Sequence, residues 1–279
     1  MATEVAPGVL VVETSTAEGK VGVIAGRRAA LAVDAGIDRR EGDDVAAAVR
    51  STGHPTDWLV YTHGHIDHVL GGGAFQGGNV LADVAAAGHI RAQVPQWAER
   101  GKTTADALLP TLGLPTVTFS GDVRLDLGGR EVHIVSTPGH APGAVSVLIP
   151  EEGILFGGDT VVTGIPPSFR DGDSATFEAT LRRLADLGLE LVVPGHGPVV
   201  RGRAAIRNAI VWGADYLARC REHVLARHGR DDDEAIVAAA PYELFVGEHL
   251  PPDRLRMVWR HEQTIRYILA EQARAGSLA

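Results

Sequence analysis

The segment Tyr61-Thr62-His63-Gly64-His65-Ile66-Asp67-His68-Val69-Leu70-Gly71-Gly72-Gly73 places three histidines and an aspartate within six residues. It grows out of an apolar run, Trp58-Leu59-Val60-Tyr61, that reads as a short buried strand. An extended backbone aims His63 and His65, two residues apart, to one side. Past the turn, Asp67 and His68 bring a carboxylate and a third imidazole to a neighbouring position. The glycines at 71–73 let the backbone pass close to that point without side-chain collision. A histidine-rich loop with incidental metal affinity has the same local composition. The discriminating feature is therefore whether other strand ends supply further ligands.

Three of them do. A strand at 131–135 runs into Thr137-Pro138-Gly139-His140, a turn rigid enough to fix an imidazole. The apolar run Ile154-Leu155-Phe156 ends in Gly157-Gly158-Asp159, a carboxylate flanked by small residues. Leu191-Val192-Val193-Pro194-Gly195-His196 repeats the theme of buried strand, tight turn and histidine. Earlier, Ala30-Leu31-Ala32-Val33 ends in Asp34, which taken alone reads equally well as a turn former.

The ordered set His-x-His-x-Asp-His (63–68), His140, Asp159 and His196, preceded by Asp34, resembles the metallo-β-lactamase superfamily, over roughly residues 8–200. The resemblance implies an α/β (α+β) fold, a four-layer αββα sandwich with a dinuclear metal site at one edge of its two sheets. It implies His63, His65 and His140 as ligands of one metal, Asp67, His68 and His196 as ligands of the other, and Asp159 as the bridge. Asp34 would steady the ligand loop from behind without coordinating. Glyoxalase II-like, lactonase-like and cyclase-like members share this complete set. The persulfide dioxygenase branch is also similar and uses a single iron. An aspartate at the bridging position is unlike the β-lactamases proper. The absence of a long insertion between Asp159 and His196 is unlike the RNA-processing branch.

Imidazoles and carboxylates suit zinc, with iron or manganese as alternatives, and the resemblance implies two ions per chain. Two cations sharing a carboxylate lower the pKa of a water between them from about 15.7 towards roughly 7. Asp67 is placed to orient that water and shuttle its proton, which makes it the candidate catalytic residue. The expected reaction is hydrolysis of an activated carbonyl, a thioester, lactone or ester. The alternatives are a mononuclear iron persulfide dioxygenase-like enzyme and a non-catalytic ligand-binding protein.

Composition narrows the partners. The chain of 279 residues is 45% hydrophobic and 22% charged, with a net charge of −9. An acidic chain disfavours a nucleic-acid partner and leaves a small-molecule substrate. No apolar stretch reaches the length of a membrane span. The N-terminus has neither a basic nor an apolar signal region, so a cytoplasmic location is expected. A single cysteine, Cys220, precludes an internal disulfide and reads as a buried small residue.

Elsewhere, runs at 9–12, 21–24 and 30–33 predict a strand meander, and 42–51 a capped helix. Residues 79–82 read as a strand, and 83–112 as one or two helices broken near Pro95 and Gly101. His54 and His89 are expected at the surface, and Trp97, on a segment that reads as exposed, is expected to cap the core, with a substrate-facing wall as its alternative. Runs at 116–119, 123–127 and 131–135 read as successive antiparallel strands, with His133 on a polar face. Residues 144–149 and 153–156 read as further strands, and 174–187 as an amphipathic helix. Residues 201–279 are expected to form a C-terminal helical extension packed on the same 8–200 domain, with helices at 203–228, from the acidic first turn 231–234, and at 252–274. His223 and His228 are expected in solvent. The extension should cover the sandwich, with a pocket wall or a homodimer contact as the alternatives.

Overall fold

A computed structural model of the protein describes residues 2–247 and 256–276. The first sheet contains β1 (Ala2–Ala6), β2 (Val9–Glu13), β3 (Lys20–Ala25), β4 (Ala30–Val33), β5 (Trp58–Val60), β6 (Asn79–Asp83) and β7 (Val117–Phe119), in that spatial order. β1 to β4 pair antiparallel, and β4 to β7 pair parallel. The second sheet contains β8 (Val123–Asp126), β9 (Glu131–Ser136), β10 (Val145–Ile149), β11 (Ile154–Gly158), β12 (Leu191–Pro194) and β13 (Val200–Arg201). Only β11 and β12 are parallel there.

The two-residue alternation of each strand divides the core into layers. Leu31, Val33, Val60 and Leu81 face Ile134, Val147, Phe156 and Val193 across the space between the sheets. Ala32, Leu59, Val80 and Ala82, one residue out of step, face the helices α1 (Arg39–Ser51) and α3 (Val84–Arg100). The short α2 (Ile66–Val69) and α4 (Ala105–Leu108) lie in the connections on either side of β6. On the opposite side Leu155 and Val192 pack against α5 (Ser174–Ala185) and α6 (Arg203–Arg227). The same cluster takes in α7 (Asp233–Ala238), α8 (Tyr242–Val246) and α9 (Arg256–Gly276) through Ile236, Phe245, Ile265 and Ile268. Helix, sheet, sheet and helix thus make four layers. Each fully buried aliphatic or aromatic side chain stabilises them by about 1.5–3 kcal/mol. None of the described helices is long and apolar enough to cross a membrane.

Several elements differ from the sequence reading. β1 extends the meander by an edge strand that the sequence did not signal. β7 pairs parallel with β6 and so belongs to the first sheet, while β8 and β9 belong to the second. The chain changes sheets between Phe119 and Val123, so the three runs are not one antiparallel series. α3 continues through Pro95 to Arg100. Pro95 and Arg91, whose carbonyl loses its helical donor, both lie on the exposed side of the helix. Residues 252–255 of the last expected helix lie outside the described residues.

Close approach of the sheets requires Gly22. A Cβ there would sit 2.0 Å from the Phe156 ring. Gly22→Ala is expected to destabilise the fold by about 1–3 kcal/mol through overpacking, measured as a lower urea midpoint. Adding Phe156→Leu should recover part of that loss.

Candidate metal centre

The site assembles where strands end. Asp34 follows β4, His63 and His65 follow β5, Asp67 and His68 lie on α2, and His140 lies between β9 and β10. Asp159 follows β11, and His196 follows β12. Parallel pairing of β4 with β5, and of β11 with β12, brings their carboxyl ends to one edge of the sandwich. The Val145 N–H donates to the Thr62 carbonyl at 2.8 Å, tying the two sheets together at that edge. The loop carrying His63 to His68 has no slack, since a Cβ on Gly71 would lie 1.9 Å from the Ala35 carbonyl oxygen.

The structure brings all seven residues singled out as metal ligands together, in two groups. One comprises His63, His65, His140 and Asp159, and the other Asp67, His68 and His196, with the donor atoms of each group within 4.8 Å of one another. Asp159 stands between them. Its Oδ1 lies 3.3 Å from both His68 Nε2 and His196 Nε2, and its Oδ2 lies 3.6 Å from His140 Nε2. His65 Nδ1 is 3.1 Å from His140 Nε2, and Asp67 Oδ2 is 3.3 Å from His196 Nε2. Tetrahedral ligands at about 2.0–2.1 Å from zinc stand about 3.3 Å apart, so these separations suit donors that share a cation. His63 Nε2, His68 Nε2 and Asp159 Oδ1 are buried without a hydrogen-bond partner. Such orphaned polar atoms are costly in an interior unless something else satisfies them. A borderline cation fits this nitrogen and oxygen donor set.

The outward nitrogens of four imidazoles are already committed. His68 Nδ1–H donates to Asp34 Oδ2 at 2.8 Å, and His140 Nδ1–H donates to the Ser168 carbonyl at 2.8 Å. His196 Nδ1 is 3.2 Å from the Thr16 and Ala17 carbonyls. Thr62 Oγ1–H donates to Asp34 Oδ2 at 2.7 Å, which leaves Oγ1 as acceptor for His63 Nδ1–H at 3.0 Å. Each bond fixes the tautomer that turns the Nε2 lone pair inward. Asp34 thus sits behind His68 and Thr62, and it also accepts the Thr62 N–H at 2.7 Å.

Charge is divided unevenly. Burial, reinforced by the neighbouring histidines, holds His63 well below its usual range. Burial likewise lowers His140 to about 3. For His68 burial acts in the same direction, but Asp34, Asp159 and Asp67 outweigh it and hold the imidazole well above that range. Burial is also outweighed at His196, which Asp159 raises to about 9. Burial would raise both carboxyls, but His196 and His68 hold Asp159 well below its usual range, and His68 and His196 bring Asp67 to about 2. The two carboxylates therefore demand positive charge between the groups, which a divalent cation supplies more fully than protons.

Around this centre other residues lie differently from the sequence expectation. The segment of Trp97 is not exposed as expected, and the residue is buried on the inner face of α3 and lines the cleft beside the centre, in keeping with both readings made for its side chain. His89 is not a surface residue, because its ring faces His65 at 5.9 Å and its Nε2 lies 3.5 Å from Asp171. Asp171, which the sequence did not signal, is also 3.7 Å from His65 Nε2. His54 and His223 are half-buried on the carbonyls of Gly26 and Ile236. His228 is exposed and Cys220 buried, as the sequence reading expects. His261, also unsignalled, is buried between Tyr216 OH and the Ala240 carbonyl, away from the centre. The cleft has a volume of about 330 Å³, and α9 contributes Trp259, Arg260, Gln263 and Tyr267 to its wall.

Because Asp34 touches two imidazole supports, Asp34→Asn should weaken metal binding by about 10–100-fold. Thr62→Val removes only the His63 support and should cost less. Chelator competition measures both; equal affinity in the wild type and Asp34→Asn would contradict the role.

Residues 18–196 match the family model of the Metallo-beta-lactamase superfamily. A hydroxyacylglutathione hydrolase of Acidiphilium cryptum (strain JF-5) is 29% identical over 67% of this chain and 69% of its own. The 2,4-dinitroanisole O-demethylase subunit alpha of Nocardioides sp. (strain JS1661) is 31% identical over 68% of this chain and 54% of its own. This chain thus spans about half the length of some relatives and about two thirds of another. Among solved structures, a metallo-beta-lactamase family protein from Thermus thermophilus superposes with a TM-score of 0.68 at 18% identity, covering 97% of this chain and 95% of that one. A sec-alkylsulfatase from Pseudomonas sp. superposes with a TM-score of 0.74 at 16% identity, over 97% and 50%. The family match over more than half of the chain, on a four-layer sandwich of this shape, means that the protein belongs to the metallo-beta-lactamase superfamily.

Proposed function

We propose that the protein is a dinuclear zinc hydrolase of a small activated carbonyl compound, a thioester, lactone or ester. The observation that carries this reading is the placement of Asp159, whose two oxygens are divided between the two histidine groups. A carboxylate so placed suits two cations, and a single ion would use only one side of it. His63, His65 and His140 would hold one cation, His68, His196 and Asp67 the other, and Asp159 both. Bound there, the cations would supply a water of lowered pKa and a Lewis acid for the carbonyl oxygen.

The chain's own groups account for the remaining steps. Asp67 lines the cleft and is ionised at neutral pH, so its carboxylate is available to accept a hydrogen bond from the attacking water. It then holds the proton as the water oxygen adds to the carbonyl carbon. As the carbon–sulfur or carbon–oxygen bond breaks, that proton passes to the departing thiolate or alkoxide. The supports at Asp34, Ser168 and Thr16 keep the imidazoles from turning during these changes of charge. Relatives named hydroxyacylglutathione hydrolase support an acyl–thiol bond as the one cleaved.

Protein expressed without added metal should carry about two zinc ions per chain and hydrolyse members of a thioester and lactone panel. His63→Ala and His140→Ala should each lower metal content and remove most activity. Asp159→Ala should take the metal ratio from about two towards one, and hydrolysis at neutral pH should collapse with it. About one iron per wild-type chain, with oxygen consumed in the presence of a persulfide, would favour the dioxygenase-like reading instead.

A further inference from the structure

Two helices wall the cleft beside the metal centre, and each presents an aromatic ring together with a guanidinium. On α3, Trp97 and Arg100 are three residues apart and share a face. On α9, Arg260, Gln263 and Tyr267 follow at helical spacing, with Trp259 beside them. Phe169 contributes a further ring, 6.0 Å from that of Tyr267. Trp259 is 66% exposed, although few other large apolar side chains are exposed among the described residues.

The charges of this wall run against those of the chain, whose net charge is −9. Arg100, Arg170 and Arg260 line the cleft, and among the described residues its only carboxylates are Asp67 and Asp159 at the metal centre. Arg170 is engaged, its Nε on Asp171 and its Nη2 on the Gln93 amide oxygen, both at 3.0 Å. Arg260 donates its Nε to the Pro166 carbonyl at 3.1 Å, which orients the guanidinium. Among the described residues neither Arg100 nor the terminal nitrogens of Arg260 meet a carboxylate. Cations left without a counterion along an aromatic cleft form a receptor for an anion with an apolar body.

We propose that the cleft selects an organic anion. Its apolar body lies among Trp97, Phe169, Trp259 and Tyr267, and its carboxylate, phosphate or sulfate group is received by Arg100 and Arg260. That the occupant is a substrate rests on the hydrolase reading; that it is an anion does not.

Two thioesters with the same phenylalkyl acyl group test the substrate arm, one ending in a carboxylate and the other in its methyl ester. The holoenzyme should prefer the carboxylate by about tenfold or more in kcat/KM, as expected of hydrogen bonds to charged groups. That preference should shrink as ionic strength rises, because solvent-exposed charges are screened beyond about 8–10 Å. Arg100→Gln and Arg260→Gln should each reduce the ratio between the two substrates, mainly through KM, and Arg260→Lys should restore part of it. The binding arm uses 4-phenylbutane-1-sulfonate, a poor metal ligand, against neutral 4-phenylbutan-1-ol, followed by tryptophan fluorescence. Arginine-dependent binding of the sulfonate alone supports the receptor, even if neither thioester is hydrolysed, an outcome that would count only against the thioester form of the hydrolase reading. Equal turnover of the two thioesters with no sulfonate binding would overturn the receptor and leave the hydrolase reading standing. Arginine variants that lower both thioesters equally would also overturn it.

Discussion

Buried at the end of β4 with φ of +61°, Asp34 directs both carboxylate oxygens into the loop that carries His63, His65, Asp67 and His68. One oxygen receives the Thr62 N–H, and the other receives the Thr62 hydroxyl and His68 Nδ1–H. Its own N–H donates to the Val60 carbonyl at 2.9 Å, so the support is joined to the end of β5. A non-glycine residue in the left-handed region is unusual, although aspartate tolerates it better than most. Here that backbone turn aims a buried anion at two imidazole supports. Without it, the His63 and His68 rings would lose the bonds that keep Nε2 inward.

The fold supplies what Asp34 cannot. His140, Asp159 and His196 come from the second sheet, and they meet the first-sheet loop only because the two sheets end at one edge and are tied there by Val145 and Thr62. The alternation of side chains fills the space between the sheets with Val, Ile, Leu and Phe, so the ligand groups gather past the strand ends. Asp159 then joins the two halves. Its low pKa and the raised pKa values of His68 and His196 describe one electrostatic fact: paired carboxylates in a dry place draw in positive charge.

Much of this was legible in the sequence because it is local. His63, His65, Asp67 and His68 are nearly contiguous, and Asp34, Asp159 and His196 each follow a short apolar run. The layered fold came from the resemblance those residues carry. What escaped notice depends on contacts between distant segments. His89 and Asp171 meet across 82 residues, and neither has a local pattern that marks it. β7 is only three residues long, and its alternation is the same whichever sheet it joins. The segment of Trp97 looked exposed because its residues are polar, although the inner face of α3 carries that ring into the core. The face of α9 that lines the cleft could not be chosen from spacing alone, since both faces of that helix carry large side chains.

The central claim is that one carboxylate, Asp159, serves two cations. Crystals of the protein as purified, with diffraction recorded on both sides of the zinc absorption edge, test it most directly. The account predicts two anomalous peaks per chain, one against His63, His65 and His140 and the other against Asp67, His68 and His196, with Asp159 reaching both. A single peak, or a metal that Asp159 does not touch, would contradict it.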